Sequence, residues 1–254
     1  AYYDSAYIDG VITVFMILFG INFNMYFLLL IKDVKSVWKN EEVRAYLGII
    51  VAATLVITCN VLSIYKEPLK AFRYSIFQVA SIITTTGFAT ADFNLWPELS
   101  KCILLLIMVI GACAGSTGGG VKVSRFLILW KSILKQVKGM LHPKSVNVVK
   151  VNGKKISNET LQGVYAYFSA YVFVFGISVL LVALDNFDFA TTISGVLTTL
   201  SNVGPGISRV GPIENFQSFS VLSKIVFSMD MLIGRLEIFP FLMICSPSFW
   251  RKHF

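Results

Sequence analysis

The sequence predicts an all-α integral membrane protein, built from tandem helix–re-entrant loop–helix repeats and preceded by one extra span. Three observations predict it. First, 56% of the 254 residues are hydrophobic, 14% are charged, and the mean hydropathy is +0.72. Soluble domains carry roughly a quarter charged residues. Second, the apolar residues come in long blocks rather than in an amphipathic period, which is the signature of membrane spans. Third, two short polar strings interrupt this apolar sequence in equivalent places: Thr84-Thr85-Thr86-Gly87-Phe88 and Ser201-Asn202-Val203-Gly204-Pro205-Gly206. Lipid tolerates non-helical backbone only where it lines a cavity or is buried in protein. Both strings therefore read as re-entrant loops.

The elements follow in order. A first span runs from about Tyr7 to Ile31 and ends in the basic cluster Lys32, Lys35, Lys39 and Arg44. It is too long for a cleavable signal and lacks a basic leader. Glu41 and Glu42 open a second span to about Tyr65, since acids suit a helix N-terminus. Glu67-Pro68 reads as a cap followed by Pro in the first turn. The segment Leu69 to Ile83 is helical in pattern but too short to cross. A polar stretch with Asp92, Asn94, Pro97 and Glu98 follows. From Leu99 helix-compatible sequence reaches nearly to Lys138, about twice the ~20 residues a span needs. It is interrupted by Gly111, Gly115, Gly118, Gly119 and Gly120, with Ser116 and Thr117 among them. Such a string cannot hold a straight helix, so this helix breaks inside the membrane. A basic linker with His142-Pro143 and Asn152-Gly153 comes next. Asn158-Glu159 then opens a span to about Leu184, Asp185 to Asp188 caps a short helix Phe189 to Leu200, and about Phe216 to Ile244 spans back to a basic tail.

One register relates the two halves. A shift of 117 residues, from Gly87 to Gly204, also lays Thr84 on Ser201, Ser81 on Thr198 and Glu42 on Glu159. This is an internal duplication. The organisation is residues 1–40, an extra helix and turn; 41–138, a repeat with a broken second helix; 139–157, a basic linker; and 158–254, a second repeat.

The formal charge of +8 is concentrated between Val121 and Lys155, where nine Lys and Arg residues meet no acid. This pattern places those loops in the cytoplasm beside anionic lipid rather than on nucleic acid. Cys59, Cys102, Cys113 and Cys245 sit in or beside apolar segments without CxxC spacing, which argues against disulfides and zinc. His142 and His253 are isolated in basic regions and read as solvated surface.

A cation entering hydrocarbon loses its water, and backbone carbonyls can replace that shell without adding a charge too sticky to leave. Such a filter needs an extended strand, a Gly where the backbone is closed to other residues, and a short helix aiming its negative C-terminal end at the ion. Both loops meet these needs. With the Gly111–Gly120 break, they resemble the TrkH-type potassium transporters of the Trk/Ktr/HKT superfamily, over nearly the whole chain and as the C-terminal half of such a protein. The resemblance implies tandem membrane–pore–membrane repeats with re-entrant half-helices and extended filter strands, four around one potassium pore. It places potassium-binding carbonyls at Thr85, Thr86 and Gly87, and at Asn202, Val203 and Gly204. Where potassium channels carry TVGYG, this chain has Phe88 and Pro205 at the tyrosine position. Only the second loop keeps the last glycine, as Gly206. A looser discrimination against sodium follows.

The Gly-rich break fails as a phosphate loop on its spacing, with Val121 between Gly120 and Lys122, and on its context after a helix. The resemblance makes it an intramembrane gating loop beneath the filter; a passive packing kink is the other reading. Arg235, an ionisable residue in the last span, faces a polar cavity or a partner. At 100° per residue it lies about 140° from Asp230 and about 160° from Glu237, so neither is an intrahelical partner. The register lays it on Gly118. The resemblance makes it an electrostatic barrier to cations; the alternative is an ion pair with an acid on another helix.

The resemblance further implies a multi-pass protein of the bacterial inner membrane and a homodimer of pores. It also implies a missing N-terminal half of the same protein and a cytosolic nucleotide-binding TrkA-type ring. No cofactor is expected beyond the transported potassium. The competing readings are a membrane-embedded enzyme acting on an anionic lipid or phosphate, and a non-conducting scaffold subunit.

Overall fold

The computed structural model describes residues 4–142, 147–245 and 250. Pro143, the basic tail residues Arg251 and Lys252, and His253 lie outside them. The helices are α1 (Ala6–Phe19), α2 (Phe23–Leu30), α3 (Val34–Lys39), α4 (Glu41–Tyr65), α5 (Pro68–Ile83), α6 (Glu98–Ile110) and α7 (Val123–Leu141). After the hairpin β1 (Lys150–Val151) and β2 (Lys154–Lys155) come α8 (Asn158–Val182), α9 (Phe189–Leu200), α10 (Val221–Leu236) and α11 (Ile238–Cys245).

Helices α4 and α8 are long and apolar enough to cross a membrane. Each buries one stripe and leaves the rest apolar and exposed. On α4, Tyr46, Ile50, Ala53, Ile57 and Val61 recur at helical spacing and are buried, while Val51, Leu55 and Val56 face outward. On α8, Val172, Phe173, Ile177 and Leu180 are the outward residues. In lipid such a stripe gains from close packing and polar contacts rather than from release of water.

Helices α5 and α9 are the short half-helices. Their C-terminal turns are buried on every side: Phe77 to Thr84 in one, Ser194 to Ser201 in the other. The second is rich in hydroxyls (Thr191, Thr192, Ser194, Thr198, Thr199, Ser201), all within protein. A lipid-facing helix could not carry that composition. Asp188 caps α9, accepting from the Thr191 amide at 3.0 Å. Pro68 starts α5 as expected, but Glu67 makes no capping bond; its carboxylate turns to Lys70 at 3.8 Å.

Two spans differ from the simple reading of the sequence. The stretch Tyr7–Ile31 is not one helix: α1 and α2 meet at 93°. A side chain at Gly20 would strike the Tyr46 hydroxyl and come within 2.9 Å of the Thr84 methyl carbon. Asn22 then caps α2, accepting from the Asn24 amide at 2.9 Å. The absence of a side chain at Gly20 lets the elbow pack directly against Tyr46 and Thr84. The last span is also broken, at Glu237, which takes φ +63° between α10 and α11.

The two ends of the bundle are each tied. At the basic end the Glu41 amide donates to Asn152 Oδ1 in the β1–β2 turn at 2.7 Å. At the other end Trp96 Nε1 donates to the Tyr65 hydroxyl at 3.0 Å. There Asn94 joins the two repeats by donating to Ser208 O at 3.0 Å and accepting from the Ser208 amide at 2.8 Å.

Candidate functional site

Both re-entrant loops leave their half-helix in the same way. Thr84 and Ser201 end α5 and α9 in right-handed conformation, and Thr85 and Asn202 then switch to φ +55° and +56°. The Thr85 amide donates to Ile82 O at 3.1 Å and the Thr86 amide to Ser81 O at 2.9 Å. In the second loop the Asn202 amide donates to Thr199 O at 3.1 Å and the Val203 amide to Thr198 O at 2.9 Å. These paired bonds form a Schellman cap, in which a left-handed residue folds the next amides onto the last helical carbonyls. Gly usually fills that position, and a β-branched residue such as Thr85 is strained there.

The caps orient the loops. A trans peptide points its carbonyl opposite to the following N–H. With the amides of Thr85, Thr86 and Gly87 turned toward the end of α5, the carbonyls of Thr84, Thr85 and Thr86 turn away from it together. In the second loop the Gly204 amide donates to Thr198 Oγ1 at 3.0 Å, so the carbonyls of Ser201, Asn202 and Val203 do the same. Among the described residues these carbonyls accept no hydrogen bond in the network that ties both loops down. Within the expected extended strands the backbone therefore alternates in sign, returning to φ +77° at Gly87 and +110° at Gly204.

The outer half of each loop hangs on one hydroxyl. Ser81 Oγ donates to Phe88 O at 2.6 Å. Thr198 Oγ1, at the register partner, donates to Pro205 O at 3.1 Å. The loops also meet each other: a Cβ at Gly87 would collide with Val203 O and stand 3.2 Å from Pro205 Cδ. Gly87 thus satisfies a backbone sign and a close approach at once.

Between α6 and α7 the chain makes an excursion from Gly111 to Lys122 and returns to its starting point. The Val121 amide donates to Val109 O at 3.1 Å and the Lys122 amide to Ile110 O at 2.9 Å. Gly111 and Gly120, at φ +71° and +74°, form the neck, and a Cβ on Gly120 would stand 2.9 Å from Gly111 Cα. The tip lies against both filter loops. Gly119 N donates to Thr85 Oγ1 at 2.6 Å. A Cβ at Gly118 would approach Thr84 O to 3.2 Å, and one at Gly119 would approach Ser201 O to 2.5 Å. Gly115 packs on Asn22 and its carbonyl accepts from the Phe23 amide at 3.1 Å, so the α1–α2 elbow cradles the tip. Ser116 turns inward to Cys113 O at 2.6 Å, while Thr117 is exposed.

Arg235 reaches this loop. Its guanidinium donates to Thr117 O at 3.0 Å. Among the described residues Arg235 forms no ion pair with an acid on another helix; Glu237, already set aside as its partner, takes Arg125 at 2.8 Å, which also lies 4.0 Å over the Tyr167 ring. The sequence puts Arg235 and Glu237 on different faces, and α7 supplies the nearer cation to the acid.

The fold that carries this arrangement is shared with known proteins. The sequence profile of the TrkH family, described as a cation transport protein, matches residues 1–252. The chain belongs to the TrkH family. It is 36% identical to the Trk system potassium uptake protein TrkH of Salmonella typhimurium over 99% of this chain and 52% of that protein. It is 29% identical to the Trk system potassium uptake protein TrkG of Escherichia coli over 99% of this chain. The crystal structure of the potassium transporter TrkH from Vibrio parahaemolyticus superposes with a TM-score of 0.89 at 36% identity, over 98% of this chain and 54% of that one. The chain spans about half the length of the curated relatives it matches.

Against the TrkH fold, the residues singled out in the sequence converge on one locus: Thr85, Thr86, Gly87, Asn202, Val203 and Gly204 in the two loops, with the 111–120 excursion and Arg235 directly beside them. Sequence reasoning missed the carbonyls of Thr84 and Ser201, which the caps turn the same way as their neighbours. It also missed Lys122, whose ammonium donates to Gly118 O inside the excursion, and the carboxylate of Glu42, 2.6 Å from the Ala114 amide. The shared offset of Glu42 and Glu159 was the available signal, but it read as helix-end electrostatics in both repeats. Outside the membrane segments, burial raises Asp188, but bonds from Thr191 and Ser208 outweigh it and leave its carboxyl below the usual range. The α9 cap is therefore charged at neutral pH.

Proposed function

We propose that this chain forms the filter-bearing half of a potassium uptake pore of the bacterial inner membrane. The carbonyls of Thr85, Thr86, Gly87, Asn202, Val203 and Gly204, joined by those of Thr84 and Ser201, replace the water around a passing potassium ion. One observation carries this reading: two loops at one register share the same cap, turn consecutive carbonyls away from their half-helices, and meet at Gly87 and Val203. Such convergent, uncharged oxygens suit a monovalent cation that must also leave. The half-helix ends add partial negative charge without a full carboxylate.

The excursion from Gly111 to Gly120 is the gate in this proposal. Its tip stands across the same end of both loops, and glycines at the neck let it swing without steric cost. Arg235 places a positive charge at the passage and pins the tip through Thr117 O. The other two filter strands come from the missing N-terminal half, the pore pairs as a homodimer in membrane lipid, and the basic face docks a cytosolic nucleotide-binding TrkA-type ring. The relatives, potassium uptake proteins and a potassium transporter by name, support the choice of ion.

The test is uptake of radioactive rubidium into proteoliposomes holding the full-length protein. Saturable uptake that potassium inhibits more strongly than sodium is expected. No uptake, or equal inhibition by both ions, defeats the potassium assignment.

A further inference from the structure

Glu42 is 8% exposed at the start of a membrane helix, where a carboxylate is costly unless several donors face it. Its usual explanation, capping its own helix, does not apply. Asn40 Oδ1 already accepts from the amides of Glu42 and Val43, at 3.0 and 3.1 Å. The freed side chain reaches sideways instead. Glu42 Oε1 accepts from the Ala114 amide at 2.6 Å, in the outgoing limb of the excursion. The same carboxylate faces the hydroxyl and amide of Ser124, in the first turn of α7. One side chain thus ties the outgoing limb of the excursion, at Ala114, to the start of α7 beyond its neck.

The second repeat supplies the contrast. Glu159, at the same offset, is exposed, and Ser157 caps α8 by accepting from the Thr160 amide at 3.1 Å. No excursion follows α10; the chain passes through Glu237 directly into α11. The acid is buried where a loop needs holding and exposed where none exists.

We infer that Glu42 is a positioning residue that latches the intramembrane loop across the filter, and so sets how often the passage opens. This rests on the loop being the gate. The Ala114 bond links a rigid spanning helix to a segment hinged by glycines, so breaking it releases the loop without touching an ion-facing carbonyl. Charge-assisted bonds are the stronger kind, and the latch draws on one.

The test uses the full-length protein in proteoliposomes, with rubidium influx and chemical modification of Cys113 read side by side. Cys113 is fully buried in the latched limb and serves as a native reporter once the other cysteines are replaced by alanine. Glu42→Gln keeps the volume and removes the charge. Influx and the rate of Cys113 modification by a charged methanethiosulfonate should both rise, each by about tenfold, the factor that accompanies loss of one bond to a charged group. Glu159→Gln should move neither.

A deletion of residues 115–118 runs in parallel and reports on the gate itself. If the deletion raises influx while Glu42→Gln leaves influx and modification unchanged or lower, the latch is wrong and the gate stands. If the deletion leaves influx unchanged, the gate is wrong and the latch falls with it. A Val196→Cys reporter, buried behind α9, must stay protected in Glu42→Gln. Its exposure overturns the inference, because Glu42 would then hold the fold rather than the loop.

Discussion

The two repeats follow one backbone plan through the two loops and part company immediately below them. From Ser81 to Phe88 and from Thr198 to Pro205 they share the cap, the sign changes and the hydroxyl tie to the eighth residue. After that, the first repeat breaks its second helix with a 111–122 excursion, and the second breaks its own with a single residue at Glu237. A filter tolerates few backbone solutions, because carbonyl direction depends on every φ sign along the strand. A helix beneath it need only fill space, so one copy could become a loop and the other could carry Arg235 against that loop.

The comparison can be broken most forcefully at the two filter glycines. Gly87→Ala faces both a left-handed φ and a collision with Val203 O, whereas Gly204 has the sign alone, with nothing within 4 Å of a built Cβ. Gly87→Ala should abolish rubidium uptake. Gly204→Ala should lower it by about tenfold, in keeping with roughly 1–2 kcal/mol of left-handed strain. Equal losses would mean that the two loops are not in the contact described.

Arg235→Ala removes both a charge from the passage and the bond to Thr117 O. Rubidium influx should rise about tenfold, the rate change that goes with about 1.4 kcal/mol of barrier. An unchanged influx takes Arg235 out of the gate and leaves the second repeat without a share in it.

The hydroxyl ties sharpen the comparison further. Thr198 both donates to Pro205 O and accepts from the Gly204 amide, while Ser81 Oγ serves Phe88 O. Thr198→Val should cost about 2 kcal/mol and Ser81→Ala about 1 kcal/mol of stability, at roughly 1 kcal/mol per bond. Thermal unfolding in detergent with potassium present reads both, and the reverse order would contradict the bond count. The smallest effect is expected at Glu159: Glu159→Gln, an exposed site, should stay within about 0.5 kcal/mol of the parent. A larger change by the same measurement would give the second repeat a latch of its own.

Much of this was legible in the chain, and the rest was not for specific reasons. The short helices α5 and α9, the spans α4 and α8, and the glycine break could be read because lipid permits so few backbone arrangements. The elbow at Gly20 could not: Gly-Ile-Asn inside an apolar block reads as a tolerated interruption until Tyr46 and Thr84 are seen beneath it. Glu67 holds the N-cap position as read, but its side chain makes no capping bond and lies 3.8 Å from Lys70. Arg235 was read as a charge facing a polar cavity or a partner, and what it meets is the Thr117 carbonyl, which no sequence pattern marks.

The sequence by itself determined that the chain lives in lipid, that it is duplicated at one register, and that two glycine-bearing strings interrupt its helices. Those properties follow from composition and from the prohibition on unsatisfied backbone in hydrocarbon, which acts residue by residue. Only the tertiary structure decided which acid would reach the excursion, which arginine would meet a carboxylate, and that the tip of the glycine excursion would lie against both loops. Such outcomes depend on which groups from distant segments arrive within about 3 Å of one another, the range of a hydrogen bond.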